Sequence, residues 1–278
     1  MERTIENEYV TAVVSEQAGE LISFKRKDNG IETIWCRDPK YWYNCNPLLF
    51  PYTRQLVDGR YTLKGKTIEL GQHGFARRAH FSFDKVAKDE ASVVLSWDEE
   101  TMKVYPYKFR ITQNYKLEGY KVIITVTVEN LDEEDLPFNL GFHPAFNCPL
   151  TPDKTYDDYR IEFELEEDLH HPEKNMTVGK SFTLKDNLVD GSFFYDNDSI
   201  RSRWCQLTDG VHTVRVGKEG YYTVGFWHKT PDTPFMCIEP WFPHNELKKA
   251  CTFRPDTENN LLPPGEKFSC QYYFEIVA

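Results

Sequence analysis

With 278 residues, 40 % hydrophobic and 15 % aromatic, the chain carries enough apolar mass for a sizeable core, which excludes intrinsic disorder. Large β sandwiches and barrels fill this length as one unit, so a single domain over residues 1–278 is expected. The formal charge of −11, with no cluster of Lys and Arg, excludes general nucleic-acid binding but leaves room for a small phosphorylated ligand held by a few arginines.

The first residues hold Glu2, Glu6 and Glu8 where a signal peptide needs a basic start and an apolar stretch. Nothing further on nears the roughly 20 consecutive apolar residues of a membrane span. A cytoplasmic protein without membrane contact is the expectation. Strand patterns begin at residues 9–14 and 21–24 and resume at 93–97. Phe109, Ile111, Tyr115 and Leu117 then keep a spacing of two, and Val122, Ile124, Val126 and Val128 repeat it across residues 121–130. Glu118-Gly119 separates the two runs, which reads as a hairpin. Residues 160–165, 212–216 and 222–227 are further strand candidates. The chain closes on residues 268–277, with Phe268, Cys270, Tyr272, Phe274 and Ile276 on one face.

Long helical intervals are absent, so the predicted fold is all-β, a large antiparallel β-sandwich. The acidic stretch 162–168 reads as a solvated strand face and loop rather than a cation site. The seven cysteines are odd in number and contain no Cys-x-x-Cys pair, so they read as reduced core residues.

Three loop-like segments join Gly or Pro punctuation to ionisable groups. They are Gly71-Gln72-His73-Gly74-Phe75-Ala76-Arg77, Gly141-Phe142-His143-Pro144-Ala145-Phe146 and Cys237-Ile238-Glu239-Pro240-Trp241. Each lies at the edge of a strand-like run, where a rigid sheet positions binding groups. In this order they resemble the signature stretches of the aldose 1-epimerase (mutarotase-like) family, nearest to the epimerase-like branch associated with lactose operons. The His73-to-Arg77 run is also shared with hexose-6-phosphate 1-epimerases of the same superfamily.

The resemblance implies a mutarotase-like supersandwich. It makes Glu239 the general base, His143 the general acid and His73 a hydrogen-bond donor near the sugar ring oxygen. Arg54, in Pro51-Tyr52-Thr53-Arg54, looks like the family's hydroxyl-binding arginine. The family also holds sugar hydroxyls with an Asp, for which Asp198 is the first candidate and Asp190 the second. In the phosphorylated-sugar branch an arginine after His-Gly-Phe-Ala helps hold phosphate, which makes Arg77 a candidate ligand contact; the alternative is that Arg77 and Arg78 are an exposed strand pair beside nearby acids. Trp227, Trp241, Phe142 and Tyr52 are possible platforms for a sugar ring, although most aromatics in such a chain are core. Trp227 and Trp241, close in sequence to Glu239, are the site candidates among them.

Anomer interconversion explains why those residue types are wanted. The C1 hydroxyl must lose a proton while the ring oxygen gains one, and a carboxylate with an imidazole suits both tasks. The reaction calls for no metal, nucleotide or redox cofactor. His170-His171 is expected to be a solvated loop rather than a metal site, because adjacent side chains on a strand point to opposite faces. A Gly-x-Ser-x-Gly elbow, a Walker loop, a His-Glu-x-x-His and a dinucleotide fingerprint are all missing from the sequence. The resulting expectation is an aldose 1-epimerase acting on a small-molecule sugar. A hexose-6-phosphate 1-epimerase and a non-catalytic sugar sensor are the alternatives, and the oligomeric state is left open.

Overall fold

A computed structural model describes residues 1–53, 59–63, 65–167, 179–187, 192–195, 200–218, 223–230, 232–242 and 260–277. The period-two runs become antiparallel sheets. The largest has nine strands in the spatial order Ser181–Thr183, Arg160–Phe163, Trp204–Thr208, Thr213–Lys218, Lys267–Ile276, Lys121–Asn130, Phe109–Glu118, Glu90–Ser96 and Ser82–Val86. Its centre is the predicted hairpin, in which Val122 faces Leu117 and Val128 faces Ile111. Gly119 takes a φ of 58° in the turn, a conformation that favours glycine. The C-terminal strand pairs with Lys121–Asn130 and buries Cys270, Tyr272, Phe274 and Ile276, as its alternation requires.

A six-stranded sheet packs against the first. Its spatial order is Ser192–Tyr195, Thr223–Trp227, Phe235–Phe242, Leu140–Phe142 and Leu48–Leu49, with Ala145–Asn147 also pairing with Phe235–Phe242. Rings from the two sheets meet in the interior. Phe142 stacks on Tyr272 at 4.1 Å between centroids, Phe146 meets Phe274 edge-on at 5.0 Å, and Phe226 meets Phe163 at 5.9 Å. Smaller antiparallel sheets join Glu2–Glu6, Val10–Ser15 and Leu21–Arg26, then Arg60–Leu63 with Lys66–Glu69, and Leu136–Phe138 with Asn260–Leu262. Helix is confined to single turns such as Thr101–Val104 and Leu184–Asn187 among the described residues. No helix among them is long and apolar enough to cross a membrane.

Some sequence readings change. Residues 237–241, read as loop-like, lie inside the strand Phe235–Phe242. That strand is buried on both faces from Phe235 to Trp241, so it shows no alternation, and Pro240 in its interior disguised it. Glu167, assigned to a solvated face, is 2 % exposed and accepts hydrogen bonds from the Ser202 amide at 2.6 Å and hydroxyl at 2.5 Å. Burial is tolerable there because the carboxylate is saturated by donors. Cys36 is exposed, whereas Cys45, Cys148, Cys205, Cys237 and Cys270 are buried free thiols.

Candidate functional site

The six-stranded sheet brings the quoted segments together by register. Gly141 faces Trp241 and Ala145 faces Cys237 across the same pair of neighbours, and continuing that register places His143 opposite Glu239. On the other side of Phe235–Phe242, Gly225 faces Glu239 and Trp227 faces Cys237. Period two then sets His143, Glu239, Cys237, Trp241 and Trp227 on one face of the sheet. The segment carrying His143, between the strands Leu140–Phe142 and Ala145–Asn147, is anchored by the His143 amide donating to Pro47 O at 3.2 Å and the Ala145 amide to Cys45 O at 2.7 Å. Gly141 is required: a Cβ there would lie 2.7 Å from Thr53 Cγ2 and 2.9 Å from Trp241 Cδ1.

His73 arrives from outside the sheet. The amides of Phe75 and Ala76 both donate to Phe50 O, and a Cβ on Gly74 would lie 2.1 Å from that oxygen. Only glycine allows the approach, and His73 itself takes a φ of 66° to make the turn. The His73 ring meets His143 edge-on at 5.8 Å and Trp241 at 5.9 Å. A single 3₁₀ turn, Ala76–Arg78, follows and turns Arg77 inward. Arg77 is buried, its Nη2 donates to Asn44 Oδ1 at 3.4 Å, and Asn44 Nδ2 donates back to Arg77 O at 3.4 Å. Arg78 is exposed.

At the centre, His143 Nε2 stands 3.4 Å from Glu239 Oε2, with the two residues 7 % and 1 % exposed. Trp42 lies against the imidazole at 4.7 Å and Trp227 meets it edge-on at 5.3 Å. His143 Nδ1 is buried without a hydrogen bond among the described residues. Burial, followed by the charges of His73 and Arg77, holds this imidazole well below the ordinary histidine range. Burial likewise draws Arg77 below the usual arginine range, countered by attraction to Tyr43, Glu20 and Glu239. The imidazole sits beside a carboxyl group with the Arg77 guanidinium nearby, so a proton added to the pair can rest on either partner.

Of the predicted site residues, His73, Arg77, His143, Trp227, Glu239 and Trp241 converge here. Arg77 is not the exposed strand residue that one reading allowed. Arg54, Asp198, Asp190 and the His170-His171 pair lie outside the described residues. Phe142 and Tyr52 are core: Phe142 stacks on Tyr272, and the fully buried Tyr52 donates its hydroxyl to Leu70 O at 2.9 Å. Sequence reading missed Trp42 and the buried pair Asn44 and Glu20 behind Arg77. Glu20 accepts from Asn44 Nδ2, Cys45 N and Asn46 N at 3.0–3.1 Å, which fixes the segment that carries them. None of these residues belongs to a recognisable motif, and Trp42 is one of six tryptophans. His143, Cys237 and Glu239 present ligand atoms within 4.8 Å of one another and form a set able to hold a metal ion.

The aldose 1-epimerase family model matches residues 1–204. Protein LacX (plasmid) of Lactococcus lactis subsp. lactis is 30 % identical over 259 residues, which is 85 % of this chain and 86 % of that protein. A galactose mutarotase related enzyme from Lactobacillus acidophilus superposes with a TM-score of 0.88 at 28 % identity, covering 100 % of this chain and 98 % of the other. A galactose mutarotase-like protein from Lactobacillus casei shares the fold, with a TM-score of 0.84 at 24 % identity over 99 % of this chain and 100 % of its own.

Proposed function

Because the chain belongs to the aldose 1-epimerase family, we propose that it interconverts the α and β anomers of a hexose, with Glu239 and His143 as the acid–base pair. One observation carries the reading: a buried carboxylate and a buried imidazole face each other at 3.4 Å on one sheet face. Two groups at that spacing can address two oxygens bonded to the same carbon, which is what C1 of a pyranose offers. Glu239 takes the proton from the C1 hydroxyl, and its electron pair forms the carbonyl as the bond from C1 to the ring oxygen breaks. His143 supplies the proton that the ring oxygen needs. The aldehyde rotates about C1–C2, and closure from the other face returns both protons with the roles reversed, so the cycle is proton-neutral. A depressed imidazole pKa makes the imidazolium scarcer but a stronger acid toward a weakly basic ether oxygen.

The His73 ring packs edge-on against both His143 and Trp241, and Trp227 meets the imidazole edge-on as well. In this reading His73 donates near the ring oxygen, and the tryptophans cover an apolar sugar face. Arg54 and Asp198 are assigned to sugar hydroxyls by family resemblance. The buried guanidinium of Arg77 supports a second reading, a 6-phosphorylated hexose, since a buried cation whose charge reaches both Glu239 and His143 suits a dianion. Polarimetry or anomer-exchange NMR on free and 6-phosphorylated hexoses tests both. Catalysed exchange on at least one sugar is expected; sugar binding with exchange at the uncatalysed rate would leave a sensor instead.

A further inference from the structure

Cys237 has no part in the proton relay, yet it lies on the same sheet face as Glu239, two residues away on one strand. Its thiol, a Glu239 oxygen and a His143 nitrogen all fall within 4.8 Å of one another, and the His143 to Glu239 separation is already 3.4 Å. Zinc binds thiolate, imidazole and carboxylate at roughly 2.0–2.3 Å, so shifts of under about one ångström per side chain would bring the three atoms onto a common ion. A sulfur donor beside nitrogen and oxygen selects a borderline-soft cation over magnesium or calcium. Three protein ligands leave a fourth position for water or an incoming oxygen.

We propose that Cys237, Glu239 and His143 form a binding site for a thiophilic divalent cation of the zinc class, and that its occupancy shuts off the acid–base pair. The binding rests on the geometry alone, whereas the shut-off rests on the proposed reaction. On binding, the thiol proton passes to solvent, the imidazole binds neutral and the carboxylate binds charged. The centre is then formally neutral, which suits a site with this degree of burial. The ion occupies the lone pairs that would take and deliver protons, so sugar and metal compete.

The test uses the full chain, freed of metal. Zn²⁺ is titrated in competition with a chromogenic chelator, and Co²⁺ serves as a spectroscopic stand-in. One ion per chain at the site is expected, with a near-ultraviolet thiolate-to-cobalt band and intense tetrahedral absorption in the visible. Cys237→Ala should abolish the thiolate band and weaken Zn²⁺ by more than the roughly 10–100-fold that loss of an outer-shell partner causes. Glu239→Gln and His143→Asn should weaken Zn²⁺ without removing the band, which keeps the test decisive if Cys237→Ala fails to fold. Failure to bind Zn²⁺ in stoichiometric amount, a cobalt spectrum without the thiolate band, or unchanged affinity in all three variants overturns the site. Anomer exchange should fall in proportion to occupancy and return on chelation. Full turnover with zinc bound overturns the shut-off. A chain that binds zinc but never catalyses overturns the enzymatic reading together with the shut-off, leaving the metal site standing.

Discussion

Glu20 and Glu239 are both 1 % exposed, yet they are buried in opposite ways. The Glu20 carboxylate is caged by donors from one short segment: two backbone amides and the Asn44 side chain converge on a single oxygen. Burial still outweighs those bonds and raises its pKa above the ordinary glutamate value. Glu239 instead faces a titratable ring on the next strand and lies among tryptophans. A carboxylate saturated by backbone amides organises a loop, whereas one opposed to an imidazole has a partner that can hold a proton for it. The difference teaches that burial alone does not mark function; what the buried group faces does.

The strongest way to break the comparison is to exchange each carboxylate for its isosteric amide. Glu239→Gln, and likewise His143→Asn, should lower catalysed anomer exchange by about 10²- to 10⁴-fold in proteins that still unfold cooperatively in urea. Glu20→Gln should leave the rate within a few-fold, because a carbonyl oxygen remains to accept the same three donors and the desolvated charge is gone. Its sign is definite: a carboxylate whose folded pKa is raised costs the folded state stability above that pKa. The variant should therefore lose less stability at neutral pH than at pH 4, where both proteins carry an uncharged side chain. Glu20→Ala orphans the three donors and should destabilise by about 3 kcal/mol or more, read as a shifted urea midpoint at constant slope. A larger catalytic loss in Glu20→Gln than in Glu239→Gln would reverse the assignment.

Arg77 connects the two regions, since Asn44 holds it and its charge reaches both glutamates and His143. Its cation lowers the imidazole pKa, so Arg77→Gln should raise it. The protonated imidazole is the form that gives its proton to the ring oxygen. The alkaline limb of the rate profile should therefore move to higher pH in the variant. His73 acts on the imidazole in the same direction, so, left unchanged, it cannot produce this shift. If the substrate is phosphorylated, the same variant should raise KM for the 6-phosphate far more than for the free sugar. An unmoved alkaline limb would show that Arg77 is electrostatically remote from the acid.

The central strands of the nine-stranded sheet were legible in the sequence because one side of each is wetter than the other, whereas Ser82–Val86, Ser181–Thr183 and Trp204–Thr208 went unread. Val122 to Val128 and Phe268 to Ile276 announce their buried faces by alternation, and the structure follows them residue by residue. Two strands of the six-stranded sheet did not, since Leu140–Phe142 and residues 235–241 are covered on both sides and carry Gly141 and Pro240. Motif resemblance reached His73, His143 and Glu239, because glycine and proline punctuate those turns for steric reasons that leave a trace in sequence. It did not reach Trp42, Asn44 or Glu20, whose roles arise from through-space packing between segments with no fixed spacing. Neither burial of Glu167 nor exposure of Cys36 can be read from residue type, since each depends on which loop covers it.

Trp42 is the smallest and sharpest test of what the imidazole's surroundings contribute. Its ring lies 4.7 Å from that of His143 at an interplanar angle of 38°, and it also touches Trp227 at 5.6 Å and Phe235 at 5.7 Å. The contact excludes water from one face of the imidazole and fixes the ring's tilt relative to Glu239. Trp42→Phe keeps a flat ring there and should stay within a few-fold of the parent rate. Trp42→Leu loses aromatic contacts worth about 0.5–1.5 kcal/mol each and lets the imidazole rock. A drop on the order of tenfold in kcat at near-constant KM is expected, since sub-ångström misplacement of a proton donor acts on the chemical step. Because burial is the leading cause of the depressed His143 pKa, partial hydration should also raise it. The alkaline limb should then move in the same direction as in Arg77→Gln but without any change in preference between free and phosphorylated sugar. Equal loss in the Phe and Leu variants would assign the effect to bulk packing rather than to a ring laid on a ring.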